Sequence, residues 1–159
     1  ALQNKNTPSV IALSRQKLPY INPKFSEKNE CENGAYIVKM DSHENKVTLI
    51  ASGSEVELAL NVHDALKENN IESKVVSMPC EELFDKQSDD FKKRIIDEES
   101  LIVTIEAGNV SSWKKYLGNK GMSLGIDRFG ESAPYKKVYE HLNLSVEKIV
   151  LAIQERLRK

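Results

Sequence analysis

Val47-Thr48-Leu49-Ile50-Ala51 and Leu101-Ile102-Val103-Thr104-Ile105 are each apolar at four of five positions, without alternation of polar and apolar residues. Strands of that composition are covered on both faces and predict a parallel sheet inside an α/β layer fold. Around them the periodicity switches between strand-like and helix-like. Further strands are predicted over residues 35–40, 74–77 and 122–126, with the second pentad running on to 106; helices are predicted over 55–69, 89–96, 111–117 and 146–157. Ala35-Tyr36-Ile37-Val38, followed by a polar turn over 41–45, predicts a hairpin with the strand at 47–51. The expected architecture is a three-layer α/β/α fold around a mostly parallel five-stranded sheet with one antiparallel edge strand.

Residues 9–14, Ser-Val-Ile-Ala-Leu-Ser, predict one more short buried strand, bounded by Pro8 and a polar turn. The pattern then fails. Between Pro19 and Asn33 lie two prolines and a run of Asn and Lys with no sustained apolar period, which is linker composition. A boundary at Gly34 follows, with residues 1–33 as the tail of something upstream plus a linker and 34–159 as the domain proper.

Two helix starts have a local cause. Ser54 with Glu57 has the spacing of a capping box, in which hydroxyl and carboxylate satisfy orphan backbone donors. Ser145 is the expected cap of the last helix, whose Val146, Ile149, Val150, Ile153 and Leu157 fall on one stripe and predict a core-facing surface.

Composition narrows the function classes. The chain has 159 residues, enough for one domain with a real core, and 23 basic against 24 acidic side chains leave a net charge of -1. No overall field draws it to nucleic acid or to anionic membranes. The pairs Lys114-Lys115 and Lys136-Lys137 read as solvated faces. No apolar stretch approaches the roughly 20 residues needed to span a bilayer. Cys31 and Cys80 belong to no metal-ligand or disulfide pattern, so a reducing, cytoplasmic setting is expected and Cys80 reads as an inert thiol.

Candidate chemistry is sparse. Gly53-Ser54-Glu55 opens a helix after a strand, where backbone N–H groups hold anions in other folds, but Glu55 and Glu57 put negative charge where a phosphate would lie. His43, His63 and His141 have no metal-ligand spacing. Ser111, Ser112 and Ser132 lack the Gly-x-Ser-x-Gly elbow of a hydrolase. Glu106 ends a buried strand, where ligands bind in open α/β sheets. Arg15 follows Leu13-Ser14 and its fork suits bidentate phosphate capture; a phosphate ligand and an ordinary salt bridge are both open for it.

Taken in order, several phrases resemble the C-terminal part of the transketolase family. They are Thr7-Pro8-Ser9, Leu13-Ser14-Arg15-Gln16, Gly34-Ala35-Tyr36, Gly53-Ser54-Glu55-Val56, Val75-Val76-Ser77-Met78-Pro79, Leu83-Phe84-Asp85-Lys86-Gln87, Glu106-Ala107-Gly108, Trp113 and Phe129-Gly130-Glu131-Ser132-Ala133-Pro134. The family uses thiamine diphosphate and a divalent cation, Mg2+ or Ca2+, to move a two-carbon ketol unit between sugar phosphates in the pentose phosphate pathway. It works as a homodimer and holds the cofactor between two upstream domains.

The resemblance implies that residues 1–33 carry the last strand of the pyrimidine-binding domain and that 34–159 are the C-terminal domain. It implies a sugar-phosphate contact for Arg15 and no catalytic, cofactor or metal residue in this chain. The isolated piece is then expected to be inactive, to bind no cofactor and to serve subunit stability and dimerisation. Dihydroxyacetone synthase has a comparable last domain. An independent α/β module sensing a metabolite or nucleotide at the strand ends near Gly53 and Glu106 is the alternative from another class.

Overall fold

The computed structural model describes residues 5–14, 16–21 and 30–158. Five strands form one sheet: β1 (Tyr36–Met40), β2 (Val47–Ala51), β3 (Ser73–Ser77), β4 (Leu101–Ile105) and β5 (Met122–Leu124), in the order β1-β3-β2-β4-β5. β2 is parallel to both β3 and β4, and β4 to β5; β1 runs antiparallel to β3. The expected three-layer fold with an antiparallel edge is what forms.

Helix α1 (Glu55–Glu68) and helix α5 (Val146–Leu157) cover one face, packing Val56, Val62, Leu66, Ile149 and Ile153 on Leu49, Val75 and Val103. The other face carries α2 (Glu81–Asp85), α3 (Asp89–Ile95) and a 3-10 turn at Ser112–Tyr116, with Phe84, Ile95 and Trp113 on Ile50, Val76 and Ile102. A last short helix, α4 (Tyr135–His141), precedes α5. β2, β3 and β4 are buried at every position, as two-sided strands require. The two buried threonines are paired internally: Thr48 Oγ1 lies 2.6 Å from Ser100 Oγ and Thr104 Oγ1 donates to Ser123 Oγ at 2.7 Å.

Three expectations are corrected. The hairpin between β1 and β2 does not form, because β3 lies between them. The connecting loop bonds to that inserted strand at both its ends, Asp41 N to Ser73 O (3.2 Å) and Lys46 N to Glu72 O (3.0 Å). Residues 9–14 form no strand and are not buried; Val10 is 94% and Leu13 84% exposed. A strand needs a ladder partner, and apolar composition alone supplies none. Ser54 makes no capping box: its own backbone is already helical, and its hydroxyl donates to Glu55 Oε1 at 2.7 Å. The turn bonds Glu55 N to Ser52 O and Val56 N to Gly53 O occupy the first donors instead. Ser145 does cap α5, accepting from Lys148 N at 3.4 Å.

Candidate functional site

The four parallel strands end on one edge, at Ala51, Ser77, Ile105 and Leu124, and β1 begins there with Tyr36 opposite Ser77. The chain leaves β2 for β3 on one side, over α1, and then returns past β2 to β4 over α2 and α3. Connections on opposite faces open a crevice at the carboxyl ends of the two strands where the order reverses. Those strands are β2 and β4, and the residues that follow them are Ser52-Gly53-Ser54-Glu55 and Glu106-Ala107-Gly108.

Glu55, in the first turn of α1, is only 5% exposed. Its Oε1 accepts from Ser54 Oγ and from the hydroxyl of Tyr139 on α4. Glu106, half-buried, accepts from the Trp113 indole N–H at 3.2 Å. Its backbone is fixed by the β5 side of the crevice, with Glu106 N donating to Leu124 O at 3.0 Å and Ile126 N to Gly108 O at 2.9 Å. That closeness requires Gly125, where a Cβ would run into Val110 Cγ1 and come within 2.8 Å of Gly108 O.

Burial, and then the charge of Glu55, push the Glu106 carboxyl above the usual carboxylate range, against the opposing indole hydrogen bond. Burial and the Glu55 acceptor likewise push the Tyr139 phenol up. Two carboxyls, a phenol and an indole thus surround the switch point. This arrangement can accept hydrogen bonds from hydroxyls or from an ammonium-type cation. It has the wrong sign for a diphosphate, so the residues described here do not fit thiamine diphosphate, and no group of three or more His, Cys, Asp or Glu side chains among them is placed to hold a metal ion.

The structure therefore brings Glu106 together with the Gly53-Ser54-Glu55 turn and leaves the other candidates apart. Arg15 lies outside the described residues. His43 is exposed, His63 is fully buried on α1 against β3, and His141 faces Glu131 at 3.3 Å on the outer surface. Ser111, Ser112 and Ser132 are exposed. Cys80 donates its thiol to Glu82 Oε2 at 3.5 Å. Tyr139 was not singled out in the sequence; the available signal was Tyr135 and Tyr139 one helical turn apart just after Pro134.

A family model described as the transketolase-like TK C-terminal domain matches residues 34–145. The chain is 43% identical over 158 residues to the chloroplastic transketolase of Craterostigma plantagineum, covering 98% of this chain and 30% of that protein. Its fold matches the crystal structure of transketolase from Campylobacter jejuni with a TM-score of 0.72 and 38% identity, over 80% of this chain and 19% of that one. It also matches a split gene transketolase, described as an inactive beta4 tetramer, with a TM-score of 0.66 and 25% identity over 91% of this chain and 48% of that chain.

An α/β domain of this strand order, with Gly53-Ser54-Glu55 and Glu106-Ala107-Gly108 at the carboxyl edge, is of the transketolase C-terminal class. The chain belongs to the transketolase family, as its C-terminal domain. It spans less than a third of the length of the curated relatives it matches.

Proposed function

We propose that this chain is the C-terminal end of a working transketolase, an enzyme that moves a two-carbon ketol unit between sugar phosphates with thiamine diphosphate and Mg2+ or Ca2+ held by upstream domains. The observation that carries this reading is family membership over almost the entire chain, at 98% coverage of a relative more than three times as long. The domain's own contribution is subunit stability and dimerisation in the cytoplasmic homodimer, because its matching phrases build a sheet edge and not a reactive constellation. The split gene relative described as an inactive tetramer supports a piece that assembles without turnover.

Val10, Ile11 and Leu13, all exposed in this chain, present the side chains that a last strand would bury in the upstream pyrimidine-binding domain. Arg15 then holds the substrate phosphate, and in the isolated chain, without the upstream half of that site, Arg15 binds sugar phosphate weakly or not at all.

The test is a full-length enzyme with and without residues 34–159, assayed for ketol transfer and for dimer dissociation by sedimentation. The truncated form is expected to lose dimer stability and turnover together; unchanged values of both would overturn the assigned role. Arg15→Gln in the full-length enzyme is expected to raise KM for the sugar phosphate by about tenfold or more, the worth of a charge-assisted hydrogen bond.

A further inference from the structure

At the amino edge of the sheet, opposite the Glu55 and Glu106 crevice, a cavity of about 530 Å³ is lined by Lys46, Glu99, Leu101, Lys120, Arg156 and Leu157. That volume suits a small metabolite. Three of its six lining residues are cations and one is an acid.

None of the three cations has a carboxylate partner among the described residues. In the adjoining cavity, which shares Glu99 and Lys120 with this one, Lys92 pairs with Asp89 at 2.9 Å and Lys115 with Asp85 at 2.6 Å and Glu81 at 3.2 Å, while Lys93 has no carboxylate partner among the described residues.

The three cations are exposed, but the backbone that carries them is fixed. Lys46 sits at the start of β2, its backbone fixed on both sides by Lys46 N to Glu72 O (3.0 Å) and Leu101 N to Lys46 O (2.8 Å). Lys120 precedes β5, and its carbonyl accepts from Arg156 Nε at 3.0 Å. That bond fixes the guanidinium of the last turn of α5 at the cavity while leaving its terminal nitrogens without a described partner. An Arg anchored through Nε with its outer nitrogens available presents a fork suited to an oxyanion.

We propose that this cavity binds a small phosphorylated metabolite, with the Arg156 fork and the ammonium groups of Lys46 and Lys120 neutralising two or more negative charges. The site does not depend on the ketol-transfer reading, since it lies on the opposite edge of the sheet and uses none of those residues.

The test is a titration of the isotope-labelled 159-residue chain with inorganic pyrophosphate at constant ionic strength, followed by NMR. Saturable shifts are expected at the amides of Lys46, Leu101, Gly121 and Arg156, with a dissociation constant of about 1 mM or below. Lys46→Gln and Arg156→Gln are each expected to weaken binding about tenfold. Glu99→Gln, which removes the one acid lining the cavity, is expected to tighten it about twofold, a gain that a purely structural role would not produce. Shifts that rise without saturation to about 20 mM, shifts centred on residues 53–55, or affinities unchanged in Lys46→Gln and Glu99→Gln would each overturn the proposal.

Discussion

The hydroxyl of Tyr139 donates to Oε1 of Glu55, 84 residues earlier in the chain. That bond ties α4 to the first turn of α1 and satisfies a carboxylate that is almost wholly withdrawn from water. Removing the donor leaves Glu55 with Ser54 as its remaining described donor. Tyr139→Phe is therefore expected to lower unfolding stability by about 1–3 kcal/mol, the cost of orphaning one partner of a buried charged group. Chemical denaturation checks this, and an unchanged midpoint would show the bond to be energetically idle.

Glu106 makes stability depend on pH with a definite sign. Burial and Glu55 raise its folded pKa, so the folded state holds the proton over a range in which the unfolded state has released it. Its contribution is complete at low pH and is lost as pH rises from about 4.3, the unfolded value, through the raised folded value. Glu106→Gln, which keeps an acceptor for the Trp113 indole, is expected to abolish that decline and gain on the wild type above the window. A carboxyl carbon of Glu106 that titrates at or below the free-glutamate value by NMR would refute the account.

Gly34 shows a glycine that the fold cannot replace. Its φ is +84°, and a Cβ there would collide with the carbonyl of Cys80 and the amide of Phe84, both backbone atoms that cannot swing aside. The same residue accepts from Cys80 N at 3.1 Å, joining the start of β1 to the turn after β3. Gly34→Ala is expected to cost about 1–2 kcal/mol from the left-handed conformation alone, with the collision in addition. A thermal melt within a degree of the wild type would contradict this.

How far the sequence could be read follows from where its information is local. The two buried pentads and the stripe of α5 announced themselves because burial on both faces, or on one helical face, dictates composition at every position. The pairing of β1 with β3 was not legible, since Asp41 and Lys46 bond to residues 72–73 that lie far along the chain. α2 and α4, at five and seven residues, are too short to complete an apolar period. At the crevice, Glu106 was visible as the polar end of an apolar strand. Its approach to Glu55, itself bonded to Tyr139, required the crossover that only the sheet order supplies.

Lys74 tests whether a buried charge in this core is a cost. It is 4% exposed on β3, burial pushes its ammonium pKa down, and its one described hydrogen bond is to Arg94 O at 3.5 Å. With so little to offset desolvation, Lys74→Met is expected to stabilise the fold by about 1 kcal/mol or more, as replacing poorly compensated buried charges does elsewhere. Destabilisation on denaturant unfolding would mean that the amine is better solvated than its surroundings suggest.

His63 sets the acid limit. The imidazole is fully buried, with Nδ1 2.8 Å from Ser73 Oγ and Nε2 without a hydrogen-bond partner among the described residues, although Asp41 lies 3.6 Å and Asp64 4.0 Å away. Burial lowers its pKa; Lys39 and Lys67 push the same way, while Asp41 and Asp64 oppose them without winning. A base whose folded pKa is depressed binds its proton first in the unfolded state, so stability is full above the unfolded value of about 6.5 and falls below it, by up to about 1.4 kcal/mol per pH unit, until the folded value is reached. Asp41, whose own pKa is held down by Lys67, the Ser73 amide and His63 despite burial, weakens the fold only at pH values below the ordinary carboxylate range, about 4. Loss of stability between about pH 6.5 and 5 therefore belongs to His63, and His63→Asn, which keeps a hydrogen-bonding group near Ser73, is expected to flatten that slope while lowering stability at neutral pH. Equal slopes in the two proteins, or an imidazolium already formed at pH 6.5 by NMR, would assign the acid sensitivity to the carboxylates instead.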